Sequence, residues 1–311
     1  GTRKLRYCLL DFDPASETAG VNIELYAAPG DPIQADSIKR IWMVYDSEGA
    51  PSETVEDLRE YAKFKNDPSL YGWWDFEDGS GNTVSDSAGL GGDNYFQFRH
   101  EPDWIIGDGI RGSNALNLDG VLEAIRTQSY QSSFIYKGTG KTYSIWLRPK
   151  PDPNGGYIVS NMWPYNFRAF LRSDRRITMR LANQGSSGSG ATWSRTTNDS
   201  IPLDGEWHNV VIVVRPDTGI NAKKVEIYID GVRVSNWTHT IDSWSNVYFS
   251  RALVIGVIHP NDYTNSRNYY YTGDIDFCTW FNRDLSQEEV VQFYRGSSDK
   301  KVYFAVNQED V

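Results

Sequence analysis

From residue 70 onward the chain is a succession of short apolar runs, each closed by Gly, Pro, Asn, Asp or Ser. "KTYSIWLRPK", "GYIVSN", "FRAFLRS", "RITMRLA", "EWHNVVIVVRPDTG", "KKVEIYIDGVRVSNW", "RALVIGVI" and "IDFCTWF" are rich in Val, Ile, Tyr, Phe and Trp. These residues suit a pleated, half-buried surface. Asp230-Gly231 lies between two such runs and is a hairpin signal. "NQGSSGSGATW" reads as a flexible loop, because strands resume after it. Many short strands with turns between them specify an antiparallel sandwich or barrel. One helix stands out near the end, "LSQEEVVQFYRG". Ser286 is its N-cap and Glu289, three residues on, completes a capping box. Val290, Val291, Phe293 and Tyr294 form an apolar side, and Gly296 is expected to end it.

Residues 1–69 have a different texture. "RKLRYCLLDFD", "VNIELYAAPG" and "IKRIWMVYDSEG" read as strands, and "SETVEDLREYAKF" as a short helix with its acids in the first turn. "KNDPS" breaks the chain there. The expected organisation is a small α+β N-terminal extension over 1–69, packed on a β-domain over 70–311. The net charge of −10 and the lack of a basic stripe exclude a nucleic-acid surface. No apolar run approaches the ~20 residues of a membrane span, so no membrane insertion is expected. The start, "GTRKLRYCLLDFD", carries no leader pattern and is expected to be a mature or trimmed end. Cys8 and Cys278 fit neither a disulfide framework nor a zinc motif. Two buried free thiols are expected, with a single Cys8–Cys278 bridge as the alternative. Asn198-Asp-Ser and Asn236-Trp-Thr match the glycosylation pattern, which is frequent by chance.

Six pieces occur in an order that resembles a known family. They are "WWDFEDGSGNTVSDSAGLGG", "GSNALNLDG", "YSIWLRP", "DGEWHNVVIVV", "VEIYIDGVRV" and "TGDIDFCTWFNRDLSQEEVVQFY". Together they resemble the laminin-G-like jelly-roll domains of the concanavalin A-like lectin/glucanase superfamily over about residues 70–296. The resemblance implies an all-β fold, an antiparallel two-sheet jelly-roll sandwich with one short C-terminal helix.

Acidic residues carry the candidate chemistry. Asp274 and Asp276, at i and i+2 of one strand, have the spacing of a retaining glycosidase pair, whose carboxyls stand about 5–5.5 Å apart. Asp75 and Glu77 share that spacing. The Glu-x-Asp-x-x-Glu run of the superfamily's retaining glucanases is missing, which weakens the catalytic reading. His208 lacks a nucleophile partner motif and reads as structural. Calcium fits the acids better, because it takes six to eight oxygens from carboxylates and carbonyls. The resemblance implies a structural calcium. Asp86 and Asp276 are its first expected ligands, Glu77 and the Gly89 carbonyl come next, and Asp274 and Asp75 are weaker. The opposing reading gives Asp86 an Asx-turn and Asp276 backbone N–H partners with no metal.

Two loops mix aromatic rings with polar side chains, the composition that binds sugars. "NMWPYNFR" holds Trp163, Tyr165, Asn166 and Arg168. "HPNDYTNSRNYYYTG" holds Asn261, Asp262, Tyr263, Asn265, Arg267, Tyr269 and Tyr270. Loops on a rigid scaffold commonly carry binding residues. The alternative has Tyr269–Tyr271 alternating along a strand, with one ring in the core. The expected function is a non-catalytic carbohydrate-binding or adhesion module that takes a polysaccharide or glycan outside the cell or on a cell or virion surface. A structural module that pairs with neighbouring subunits is the second reading, and a glycan-processing enzyme of the same fold is the third.

Overall fold

In the computed structural model, residues 7–9, 23–25, 41–43, 63–88, 96–98, 103–110, 113–120, 125–127, 140–152, 154–161, 167–182, 192–216, 222–240, 253–256, 270–298 and 304–306 are described. Three short strands come first: β1 (Tyr7–Leu9), β2 (Ile23–Leu25) and β3 (Ile41–Met43). The sandwich is built from β4 (Leu70–Trp74), β5 (Thr83–Val84), β6 (Phe96–Phe98), β7 (Asp103–Ile105), β8 (Ala115–Asp119), β9 (Ile125–Thr127), β10 (Lys141–Pro149), β11 (Gly156–Asn161), β12 (Phe167–Leu171), β13 (Arg176–Ala182), β14 (Thr192–Ser200), β15 (His208–Pro216), β16 (Ala222–Ile229), β17 (Val232–Thr240), β18 (Leu253–Ile255) and β19 (Thr272–Phe281). Helix α1 (Gln287–Ser298) and β20 (Phe304–Val306) follow.

The first sheet has the order β17-β16-β15-β10-β19-β8-β7, with β4 also paired to β19. The second runs β14-β13-β12-β11-β18-β9-β6-β5. Consecutive pairs in the sandwich sheets are antiparallel, and two such sheets face to face are the sandwich expected from the strand pattern and the jelly roll implied by the resemblance. Strand periodicity sorts the side chains. Tyr143, Ile145 and Leu147 of β10 join Val210, Ile212 and Val214 of β15 in the core between the sheets. Phe167, Ala169, Leu171, Ile177, Met179 and Leu181 close it from the second sheet.

The outer face of the first sheet also carries an apolar cluster. Trp146, Val211, Val213 and Tyr228 lie there beneath Leu285, Val290 and Phe293 of the C-terminal helical segment. Phe293 meets Phe64, Trp73, Phe277 and Phe281 at ring-centroid distances of 5.3 to 6.2 Å. The capping box is formed in full: Ser286 N donates to Glu289 Oε2 at 2.7 Å, and Glu289 N to Ser286 Oγ at 3.1 Å. The helix runs two residues beyond Gly296, to Ser298, which corrects the expected end. Ser297 Oγ accepts the Trp146 indole N–H, so tertiary contact holds the last turn past the glycine.

β14 had no strand pattern in the sequence beyond the end of the flexible loop, yet it extends the second sheet. The expected helix over 52–64 falls mostly outside the described residues; its end is helical at 63–65. β1 pairs with β2, and the terminal β20 pairs with β3. Cys278 is buried and free, with the Tyr143 hydroxyl 3.9 Å from its sulfur; the side chain of Cys8 is outside the described residues.

Candidate functional site

β19 positions both acids that the sequence singled out. Opposite Ile145 and Trp146 of β10 the register shifts, and Phe277 becomes an extra residue with φ of 35°. This bulge leaves Asp274 and Asp276 on the outer side of the sheet while Ile275, Cys278 and Trp280 enter the core. The two acids do not work as a pair, because each has its own surroundings.

Asp276 is fully buried. Its Oδ2 accepts from Ile110 N at 2.8 Å and lies 2.6 Å from Ser113 Oγ, and its Oδ1 accepts from Phe277 N at 2.6 Å. Burial pushes its pKa up to about 8 against these partners, and the charge of Asp75 adds to the rise. Ser113 Oγ donates to Asp276 Oδ2 and also lies against the Ile110 carbonyl, so the serine joins the Ile110 turn to the carboxyl group. Gly109 makes the close approach feasible, since a Cβ there would meet Asp276 Oδ2 at 2.5 Å. Asp276 is therefore a latch that fastens the β7–β8 loop onto β19.

Asp274 is buried but ionised. Its oxygens accept from Asn117 Nδ2 at 2.6 Å, Arg148 Nε at 2.8 Å and Lys150 Nζ at 2.9 Å. Burial alone would raise its pKa; Asn117, Lys150 and Arg148 more than offset that and hold it below the usual carboxylate range. Arg148 continues to Asp108 at 2.8 Å and lies over the Trp207 ring at 4.7 Å.

Asp86 Oδ1 accepts from Trp73 N at 2.9 Å and Ala88 N at 3.0 Å, the latter closing an Asx-turn. Glu77 lies in the same loop, with its own carbonyl 3.4 Å from Asn114 Nδ2; Gly89 falls outside the described residues. A cation shell needs lone pairs converging on one point. Asp274, Asp276 and Asp86 instead face hydrogen-bond donors. Among the described residues no three His, Cys, Asp or Glu side chains form a metal-binding group. As placed, Asp274 and Asp276 do not fit calcium, and Asp86 Oδ1 is engaged by two backbone N–H groups.

His208 is also held by acids, Nδ1 at 2.7 Å from Asp230 and Nε2 at 3.0 Å from Asp204. Burial disfavours its charge, but the two carboxylates prevail and raise its pKa. It ties the Asp230-Gly231 hairpin to the start of β15, and both ring nitrogens are engaged by carboxylates.

Of the expected sugar-binding residues, Trp163, Tyr165, Asp262, Tyr263, Arg267 and Tyr269 lie outside the described residues, as do Asn166, Asn261 and Asn265. Arg168 and Tyr270 are described and half-buried, and Tyr271 puts its ring in the core. Arg168 sits on β12 with its side chain directed away from the core, between the core residues Phe167 and Ala169. It is the register partner of Arg180 on β13 and of Ser160 on β11. The next row of the same face carries Thr196, Thr178, Phe170 and Tyr157, the last two rings 5.0 Å apart. The period-2 alternation in "FRAFLRS" and "RITMRLA" was the signal that could have placed Arg180 and Phe170 beside Arg168.

This row lies on the outer face of an antiparallel two-sheet sandwich. Residues 119–291, more than half of the chain, match the Laminin G model of the concanavalin A-like lectin/glucanases superfamily, and the chain belongs to that family. No curated protein sequence matches significantly. Among solved structures, the binding domain of Paraclostridial Mosquitocidal Protein 1 is similar, with a TM-score of 0.55 and 16% identity over 74% of this chain and 52% of that one. The botulinum neurotoxin serotype D binding domain gives a TM-score of 0.52 and 16% identity over 76% of this chain and 52% of that one. A botulinum neurotoxin type C structure gives 0.51 and 15% over 75% and 52%. The chain thus spans about half the length of these structures, and the likeness is one of fold.

Proposed function

We propose that the chain is a non-catalytic glycan-binding module of a secreted or surface protein. The observation that carries this reading is the juxtaposition of Arg168 and Arg180 on the outer face of the second sheet, beside the Tyr157/Phe170 rings. Like charges directly opposite on a sheet are destabilising. Among the described residues Arg180 forms no ion pair. The planar guanidinium group of Arg180 suits hydroxyl and carboxylate oxygens, and the neighbouring rings suit sugar C–H faces. Acidic glycans are therefore expected to bind more tightly than neutral ones on this face. The fold likeness agrees: the type C toxin is described as entering cells through two ganglioside molecules, and a serotype D domain as holding N-acetylneuraminic acid. No described helix is long and apolar enough to cross a membrane.

An array of neutral and sialylated oligosaccharides tests the reading. Arg180→Ala should weaken binding of acidic glycans on the order of tenfold, the loss of one charged hydrogen-bonding partner. Failure of the unaltered chain to bind any glycan would overturn the reading. Calcium stabilisation of the loop 77–89, through Glu77, Asp86 and the Gly89 carbonyl, is a separate proposal that rests on the family resemblance and on the loop's glycine content. Asp274 and Asp276 give it no support.

A further inference from the structure

The Asp274 network forms the floor of a second feature, on the opposite side of the sandwich from the arginine row. A cleft of about 720 Å³ opens there, lined in part by Asp103, Asn117, Asp274, Arg148, Pro151 and Leu203. That volume lies within the ~300–1,000 Å³ common for small-ligand sites. Asp103, Asn117, Asp274 and Arg148 stand in register across β7, β8, β19 and β10, so four polar side chains cross the floor in one row. Leu203 and Pro151 make an apolar wall, and Leu203 is 42% exposed, one of three large apolar residues so exposed among those described.

Counting hydrogen-bonding groups indicates what the floor can still accept. Asp274 is filled by Asn117, Arg148 and Lys150. Lys150 has hydrogens left after that one bond, and Arg148 keeps Nη1. Asn117 Oδ1 and the exposed Asp103 carboxylate remain as acceptors. The acceptors Asp103 and Asn117 thus stand at one end of the row and the donors Arg148 and Lys150 at the other. A sugar ring carrying several hydroxyls matches this arrangement, because a hydroxyl can give a hydrogen at one end and receive one at the other. The floor carries three carboxylates, Asp103, Asp108 and Asp274, against Arg148 and Lys150. This net negative charge disfavours an anionic ligand. The Arg148 guanidinium is fixed by Asp108, Asp274 and the Trp207 ring, so the site is ordered before anything binds.

We infer that this cleft is a second carbohydrate subsite. It takes a neutral sugar ring, with its hydroxyls on the polar row and a C–H face on Pro151 and Leu203. The inference rests on the glycan-binding reading and differs from it in face and in ligand charge.

The test uses the same immobilised neutral and sialylated oligosaccharides with three variants, each checked by thermal unfolding. Asp103→Ala removes an exposed acceptor, Leu203→Trp fills the cleft, and Arg180→Ala alters only the other face. Asp103→Ala and Leu203→Trp should each weaken binding of neutral oligosaccharides by about tenfold and leave sialylated ones unchanged. Neutral binding that survives both substitutions, or is lost with Arg180→Ala alone, would overturn the subsite while leaving the glycan-binding reading in place. Binding of no oligosaccharide by the unaltered chain would overturn both.

Discussion

Asp276 and Asp274 are two residues apart on one strand, and their surroundings push their pKa values in opposite directions. Asp276 is screened from water and raised to about 8, while Asp274 is buried among cations and lowered. The linkage follows in sign. From its ordinary pKa of 3.8 up to about 8, folded Asp276 holds a proton that the unfolded chain releases. Its stabilisation is complete below that ordinary value and is lost as pH rises through the folded value, at about 1.4 kcal/mol per pH unit inside the window. His208, also raised, acts in the same direction from its ordinary value of 6.5 upward. Asp274 acts oppositely and only in acid, because its contribution is lost as pH falls below 3.8 through its lowered value. Thermal unfolding should therefore show Tm falling between about pH 4 and pH 8. Asp276→Asn, uncharged throughout, should flatten that slope. A slope unchanged in the variant would show that Asp276 is ionised in the folded protein.

At the scale of elements, the helix and the hairpin were legible because their signals are local. Ser286 and Glu289 satisfy each other's backbone N–H groups within one turn, and no distant residue is needed. Ser286→Ala should cost about 1 kcal/mol, read as a lower denaturation midpoint. Asp230 and Gly231 adopt positive φ of 52° and 73°, the paired left-handed residues that a tight hairpin of this hand requires. β14 was not legible. Its segment "TWSRTTNDS" buries only Trp193 and Thr197 among its described side chains, and it lies at the edge of the second sheet. An edge strand owes its place to backbone pairing with β13, which leaves little trace in side-chain pattern. The helix end was misplaced for a related reason: Gly296 is a local stop signal, and Ser297 meeting Trp146 is a contact across about 150 positions of sequence.

For the whole molecule, the calcium proposal makes a prediction that involves the entire fold. If the 77–89 loop binds calcium, adding a chelator should lower Tm by several degrees, as expected when a ligand bound only by the folded state is removed. An unchanged Tm would reject it. The sandwich itself was readable from the run-and-turn pattern and the six ordered motifs. The alternation of buried and exposed side chains is fixed by strand geometry and is written directly in residue order. The candidate site was readable in part. Arg168, Asp274 and Asp276 were singled out, but their roles were not. Sequence alone determined that the chain is an antiparallel sandwich with a capped C-terminal helix, and that its acids needed compensation. Only the tertiary structure decided which partners compensate each acid. Asp274 meets Arg148 from 126 positions away, and Asp276 meets Ile110 from 166. The charge of a buried carboxyl depends on the groups folding brings within a few ångströms, and sequence spacing does not carry that information.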